Sequence, residues 1–410
     1  MQALAGRRPF WSAAVVALAF GLSPALPATA APAGTSEANA AGSADGGDAY
    51  AAERMRAIMA MLAYVLPRSM DPSRFADPED SAAVGSALRS MAERADELET
   101  HGVERGPGFR HLAEILARDV READRRFRDG RIEESAFLVQ QLTENCLACH
   151  ARLPSTADTT MGQRLMEEMD LEGLTLPERA RLQMATRQFS ASLDTWEKIF
   201  ASPGTTPAQL DRMGYLGDYL TLCIRITGDP QRALATLRRL ATRPDTSDWV
   251  ARDLAAWIDT LEELQTRGLE TGDGSGLKTA RELLNEGDRV RERPADKTGL
   301  VYDLVASSLL YRYTESRPWG GHHVAEAYYL LGVAESRIDR SYWISQSEFY
   351  LETAIRMAPD APFARQAYDH LEKMTLEGYT GSSGVHLPDD VRENLEALEK
   401  LIDASAPPTG

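Results

Sequence analysis

Five consecutive residues, CLACH at positions 146–150, place two thiols and an imidazole close together in the chain. Cys149 lies three residues and His150 four residues beyond Cys146, so in a helix all three side chains point to the same side. The chain holds only three cysteines, of which the third is Cys223, and a framework of disulfides is therefore excluded. Any fold of this chain must keep one helix face available for the group that these three side chains bind.

The C-x-x-C-H pattern is the one to which haem is attached covalently in c-type cytochromes. Its two thiols reach the two vinyl groups of one macrocycle, and the adjacent imidazole serves as a proximal ligand of the iron. The sequence thus predicts one covalent haem c, with thioether bonds at Cys146 and Cys149 and the iron ligand at His150. A redox dithiol is an alternative, but it would usually follow a strand of a thioredoxin-like unit. A zinc site would need a second pair of ligands, and no second C-x-x-C follows.

The amino-terminal residues have the composition of a targeting segment. Arg7 and Arg8 precede an apolar stretch at 10–26, and the small residues that follow fit a cleavage site. These features predict a secretory signal peptide over residues 1–30, with a retained membrane anchor as the alternative. Residues 31–48 are rich in Ala, Gly and Ser and predict a flexible leader. Export to the periplasm agrees with covalent haem, which is attached after the unfolded chain has been exported.

The charge of the chain limits its partners. The formal net charge is -17 and the isoelectric point is about 5.0. Nucleic acid is not expected as a partner, because binding phosphates requires a basic surface. For the same reason we expect no peripheral binding to an anionic membrane.

A helical period dominates the sequence after Asp48, which predicts an all-α fold. Apolar residues recur at intervals of three and four residues in four successive stretches. We expect these to pack as an antiparallel four-helix bundle over residues 49–153, with the cysteine motif near the end of the last helix. The four predicted helices span 50–66 (ended by Pro67), 80–100, 108–128 and 132–151.

The end of the fourth predicted helix, QQLTENCLACHAR at 140–152, resembles the corresponding ending in the cytochrome c-prime superfamily. The resemblance covers roughly residues 50–155 and implies a haem-carrying four-helix bundle. It also implies that the distal side of the iron faces the first helix. A methionine there gives a six-coordinate electron carrier, whereas a leucine or phenylalanine gives a five-coordinate haem that binds small gases. The chain departs from the family in carrying Arg152-Leu153-Pro154 where an aromatic-Arg pair is usual.

Candidates for the distal ligand follow from this resemblance. The first predicted helix contains Met55, Met59 and Met61, of which Met55 and Met59 share the apolar face. Met59 is our first choice, although methionine at helical spacing is more often core filling than a ligand. Ligation by two histidines, through His101 or His111, is an alternative, and so is a five-coordinate iron.

The rest of the chain predicts paired helices. After a linker at 154–174, residues 175–405 resemble tetratricopeptide repeats, and 406–410 form a tail. The clearest pair is 324–338 followed by 342–357, with aromatic, Leu and Gly residues on the first helix and small residues on the second. Such repeats stack into an extended array whose concave face binds partners.

Few other residues suggest chemistry. Cys223 lies in an apolar stretch and is expected to be buried and inert. His322 and His323 are expected in a solvated turn, and His370 in repeat packing. Met213 would be the distal ligand if the motif opened a small cytochrome domain of the ordinary kind, in which a methionine lies well downstream.

The sequence therefore predicts a periplasmic monohaem c-type cytochrome that transfers electrons and docks a redox protein partner through its repeats. The alternative is a five-coordinate haem sensor or gas-binding module that signals through the repeats. An enzyme such as a peroxidase is less favoured, because that chemistry needs a distal acid/base group and none is evident.

Overall fold

The chain is all-helical in a computed structural model that describes residues 40–70, 75, 77–102, 107–152, 160–168, 174–268, 275–293, 296–317, 320–338, 346–381 and 384–405. The strands in these ranges are the two-residue β1 (Thr380–Gly381) and β2 (Gly384–Val385), which pair antiparallel. Among the described helices, none combines the length and the apolar sequence needed to cross a bilayer. The predicted signal peptide and the first half of the predicted leader, residues 31–39, lie outside the described residues.

The first four helices form what we call the N-terminal group. α2 packs on α3, α3 on α4, and α1 on both α2 and α4. Their apolar faces meet in one buried cluster, which includes Val65, Leu88 and Val139, each with no exposed surface. The helices are α1 (Ala40–Ser69), α2 (Pro78–Gly102), α3 (Pro107–Arg128) and α4 (Ile132–His150).

The boundaries of α2, α3 and α4 lie within two residues of those predicted from the apolar period. α1 differs, because it begins at Ala40, inside the segment predicted as a leader, and continues through Pro67 to Ser69. Pro67 has no amide proton to donate within the helix, but the burial of Val65 and Leu66 against the other helices keeps this last turn in place. A further helix, α5 (Thr160–Glu168), lies within the segment predicted as a linker.

The remaining helices form the C-terminal group, in which many of the packed pairs are consecutive helices. The closest pairs are α6 with α7, α10 with α11, α12 with α13, and the run from α13 to α16, with α17 on α15 and α16. The helices are α6 (Leu176–Ala185), α7 (Phe189–Ala201), α8 (Pro207–Arg212), α9 (Tyr215–Leu220), α10 (Pro230–Ala241), α11 (Asp248–Arg267), α12 (Ser275–Val290), α13 (Leu300–Glu315), α14 (His322–Arg337), α15 (Ser347–Met357), α16 (Ala364–Gly378) and α17 (Asp389–Ser405).

A glycine sets the close approach of α14 and α15. A Cβ atom at Gly332 would lie 2.6 Å from Leu351 Cγ, a separation that real Cβ atoms essentially never show. The missing side chain also lets the Ser347 hydroxyl donate a hydrogen bond of 2.6 Å to the Gly332 carbonyl. This is the helix pair for which the sequence analysis noted a glycine on the first helix and small residues on the second.

One local feature was not predicted. Between α9 and α10 the segment Thr221–Ile226 has π-helical geometry, a form that is rare and occurs mostly as single turns within α-helices. The chain then turns at Gly228, whose φ is +64°. Asp229 caps α10 by accepting a hydrogen bond from the Arg232 amide, and Pro230 is its first residue.

We expect Gly332→Ala to destabilise the protein by about 1–3 kcal/mol, because the added methyl group overpacks the contact with Leu351. Gly378→Ala is the matched control, since a Cβ there meets nothing within 4 Å, and it should be neutral or stabilising by about 0.5–1 kcal/mol. Denaturant unfolding of both variants measures the difference. Equal stabilities would show that α14 and α15 are not in close contact.

Candidate functional site

The CLACH motif occupies the last turn of α4, where the two helix groups meet. Leu147 and Ala148 are buried, whereas Cys146, Cys149 and His150 are half-buried. Cys146 packs against the cores of both groups. The three motif side chains therefore share the partly open side of the helix, as their spacing predicts.

A cavity of about 430 Å³, its open mouth included, lies beside the motif. All four helices of the N-terminal group contribute to its walls, and the lining is apolar except for Asn145 and the motif itself. The lining residues are Met55, Ile58, Leu98, Phe109, Leu112, Ala113, Leu116, Asn145, Cys146, Cys149 and His150.

The imidazole of His150 is held in one orientation. Its Nδ1 lies 2.7 Å from the carbonyl oxygen of Ala185, at the end of α6. Burial lowers the pKa of His150 to about 4, so the ring is neutral at pH 7 and Nδ1 carries the proton donated to that carbonyl. Nε2 then keeps its lone pair, and it has no hydrogen-bond partner among the described residues. A backbone carbonyl that orients a histidine in this way is common behind metal ligands.

The two thiols lack the properties of a redox dithiol. Burial raises the pKa of Cys146 to about 12 and also raises the pKa of Cys149, whereas redox-active pairs have lowered values. Neither is in a disulfide. Protonated thiols suit addition across a vinyl group, in which sulfur bonds to one carbon and hydrogen to the other. The alternative of a redox dithiol is therefore disfavoured.

The methionines of α1 differ in their relation to the cavity. Met55 lines it. Met59, our first choice from the sequence, is 7% exposed and belongs to the core of the N-terminal group rather than to the lining. Met61 is half-buried against the same core. The methionine that lines the cavity with the motif is therefore Met55. It lies one helical turn before Met59, which the sequence favoured.

The two histidines considered as ligands contact other rings. The ring of His101 lies 5.1 Å from that of Tyr50. His111 stacks on Phe349 of α15, with ring centroids 4.0 Å apart and planes within 6°. Neither histidine is part of the cavity lining.

The arginines at positions 118–131, in α3 and in the turn after it, are paired with acids. Their partners lie on α2, α3 and α4, as expected for a solvated, salt-bridged face. The ion pairs are Arg118–Asp119, Arg121–Asp96, Arg121–Glu99, Arg125–Glu122, Arg126–Glu122, Arg126–Glu134, Arg128–Asp124 and Arg131–Glu134.

The chain beyond the motif enters the C-terminal group. Arg152 is 6% exposed and pairs with Glu315 of α13 at 3.0 Å. Its guanidinium also lies 5.0 Å from the ring centroid of Tyr311. A Cβ at Gly108 would lie 2.6 Å from Arg152 Nη2, so this glycine makes room for the arginine beside α3.

Sequence reasoning missed the residues of the C-terminal group that contact the motif helix. Arg225 donates a hydrogen bond of 3.2 Å to the carbonyl oxygen of Ala151, and Gln346 donates one of 3.2 Å to the carbonyl oxygen of Ala148. The one signal for Arg225 was its position as a single positive charge in the largely apolar stretch 215–226. Nothing in the sequence marked the Ala185 carbonyl.

The other residues noted in the sequence lie away from the cavity. Cys223 is buried, and burial raises its pKa to about 12. His322 and Asp360 are 3.9 Å apart with both side chains exposed, whereas His370 bonds to Ser336 at 2.9 Å. Met213 is 52% exposed and is not part of the lining.

Within the described ranges, no cluster of three or more His, Cys, Asp or Glu side chains has the arrangement of a metal site, so a zinc site of protein ligands alone is not supported. The motif would bind iron through one imidazole, which requires a macrocycle to supply the other ligands.

Comparisons of the chain with protein-family models, with curated proteins and with solved structures found no match.

His111 predicts a pH dependence of stability. Burial, with the nearby Arg118 and Arg152, lowers its pKa to about 4 from a usual 6.5. The unfolded chain therefore binds a proton that the folded chain does not, and stability falls as the pH drops from 6.5 towards 4, by up to about 3 kcal/mol.

The variant His111→Phe keeps a ring against Phe349 and should lose this component of the pH dependence. Urea unfolding of the wild type and the variant at pH 7 and pH 4.5 measures it, with the exposed His323→Phe as the control. The same loss of stability in all three proteins would contradict the assignment.

Proposed function

We propose that this protein is an exported monohaem c-type cytochrome that transfers electrons. The observation that carries the proposal is the arrangement at the end of α4. There the two thiols and the imidazole of His150, its Nδ1 bonded to the Ala185 carbonyl at 2.7 Å, border an apolar cavity. In this proposal the N-terminal group is the haem bundle that the sequence resemblance implies. The thiols of Cys146 and Cys149 would hold the haem, and Nε2 of His150 would bind its iron.

A bound haem c would supply a one-electron couple between ferric and ferrous iron. The residues of the chain would set its environment. Leu98, Leu112 and Leu116 give the cavity apolar walls, which would favour the ferrous state of the haem because it carries the lower charge. The bond between the His150 ring and Ala185 makes the ring a better electron donor to a metal, which favours the oxidised state. These two opposing effects would fix the reduction potential.

Met55 is the distal ligand that we propose, in place of Met59. It lies on α1, on the cavity wall that also includes Ile58. Methionine opposite histidine gives a six-coordinate iron of raised potential, which suits electron transfer. If Met55 does not bind the iron, the apolar cavity would accept a small gas instead, which is the sensor or gas-binding alternative.

For the C-terminal group we propose a tetratricopeptide-like array that also presents a surface to a redox protein. The helix pairs and the close contact at Gly332 support this proposal. With a net charge of -17, a partner with a basic surface would be attracted from a distance. The periplasmic location rests on the amino-terminal sequence.

Removal of the two thiols tests the central proposal. Cys146→Ser combined with Cys149→Ser should give protein without covalent haem, because no thiol remains in the cavity to form a thioether. The matched control is Cys223→Ser, which changes a buried cysteine of the C-terminal group and should leave attachment intact. Mass spectrometry of the denatured proteins, expressed with export and haem attachment, measures the added mass. A wild type without that mass, or a double variant that keeps it, would overturn the proposal.

Paired substitutions in α1 test the distal ligand. Met55→Leu should convert a low-spin ferrous spectrum into a high-spin one that changes when carbon monoxide is added. Met59→Leu should leave the spectrum unchanged, since that side chain belongs to the core. The opposite result would return the assignment to Met59. A wild type that already binds carbon monoxide would favour the gas-binding alternative.

A further inference from the structure

The carboxyl end of α4 is held by side chains from the C-terminal group. Arg225 Nη1 donates a hydrogen bond to the Ala151 carbonyl, and Gln346 Nε2 donates one to the Ala148 carbonyl. Both hydrogen bonds are 3.2 Å long. The last carbonyls of a helix have no partner within the helix, and their partial negative charge favours a nearby cation. The turn of α4 that bears the motif is therefore completed by residues distant in sequence.

Arg225 is itself fixed in place. Its side chain is 1% exposed and pairs with Glu335 of α14, 3% exposed, at 2.9 Å. The same nitrogen donates to Ser307 of α13, and the guanidinium lies 5.1 Å from the ring centroid of Tyr311. A buried arginine is stable only where its charge is paired, and the contacts of its two terminal nitrogens define its position.

Arg225 lies in the π-helical segment between α9 and α10. Thr221–Ile226 winds more widely than an α-helix, and such turns occur frequently at functional sites. Leu222, Cys223 and Ile226 of this segment are buried in the core of the C-terminal group. With these neighbours buried, Arg225 is the residue of the segment that bonds to the carbonyl of Ala151.

His150 is oriented by the same group of helices. Ala185, which accepts the bond from Nδ1, ends α6, and the turn after it contains Arg187 at φ +60°. A left-handed conformation at a residue other than glycine is uncommon and is held in place by its surroundings. The imidazole and the helix end that bears it are thus both supported by the C-terminal group.

We propose that Arg225, paired with Glu335, is a positioning residue of the haem site. It holds the last turn of α4 against the C-terminal group, and the distance from His150 to the Ala185 carbonyl depends on that position. This inference rests on the proposed function. The C-terminal group is then a part of the haem site as well as a docking surface, since it sets how strongly the imidazole donates to iron.

The test is carried out on the full-length holoprotein with Arg225→Met combined with Glu335→Met. The double substitution removes a neutral pair and leaves no unpaired buried charge, so the net charge near the haem is unchanged. Arg291→Met combined with Asp303→Leu is the matched control. It removes another buried ion pair, whose side chains are 9% and 0% exposed, between the residue that follows α12 and a residue of α13. This pair makes no hydrogen bond to α4.

The readouts are the midpoint potential of the haem and its low-temperature electron paramagnetic resonance spectrum, in samples of equal haem content. We expect the equilibrium constant of the Arg225 and Glu335 variant to shift about tenfold towards ferrous iron. This shift corresponds to a rise of about 59 mV in the midpoint potential, and the resonance positions should also shift. The control should keep the wild-type potential and spectrum. No shift in either variant, or an equal shift in both, would overturn the positioning role.

Arg225→Lys keeps the charge beside Glu335 but loses the second guanidinium nitrogen, and it covers the case in which the double variant does not fold. A smaller rise in potential is expected, and an unchanged potential would overturn the inference. A wild type without covalent haem would instead refute the proposed function. Wild-type haem with unresponsive variants would refute only the role of Arg225.

Discussion

α4 belongs to two hydrophobic cores at once, and much of the arrangement of the molecule follows from this. Its first turns place Ala136, Val139 and Leu142 in the core of the N-terminal group. Its end places Leu147 and Ala151 in the core of the C-terminal group. A helix end buried in this way brings its free carbonyls out of water, and each must find a donor. Arg225 and Gln346 supply donors to the carbonyls of Ala151 and Ala148.

Bringing Arg225 into the interior creates a second requirement. A buried guanidinium is stable only with an opposite charge and further acceptors, which Glu335 and Ser307 supply. Arg152, buried one residue beyond Ala151, is matched in the same way by Glu315. The two arginines lie near the ring of Tyr311, so this part of the junction is polar and highly specific in geometry.

The opposite side of the same helix end remains available. An open-mouthed cavity with largely apolar walls lies beside the thiols and His150. In the proposed cytochrome, the imidazole side of the iron would be set by the C-terminal group and the other side by α1. The two helix groups would thus each contribute one ligand environment to a single cofactor.

The helix boundaries of the N-terminal group could be read from the sequence because the apolar period is a local property. The period could not separate Met55 from Met59, since residues four apart share a helix face. The choice between them depends on which level of α1 faces the cavity, and the packing of α1 on α2 and α4 decides it. Pro67 likewise predicts a helix end, yet buried neighbours extend α1 to Ser69.

The sequence by itself determined that the chain is helical and that two thiols and an imidazole share one helix face, because both depend on spacing along a few turns. Only the tertiary structure decided what orients that imidazole and holds its helix. The contacts of His150, Ala151 and Ala148 with the C-terminal group span 35, 74 and 198 residues. One of the partners is a backbone carbonyl, which every residue carries, so no pattern of residue types could have revealed it.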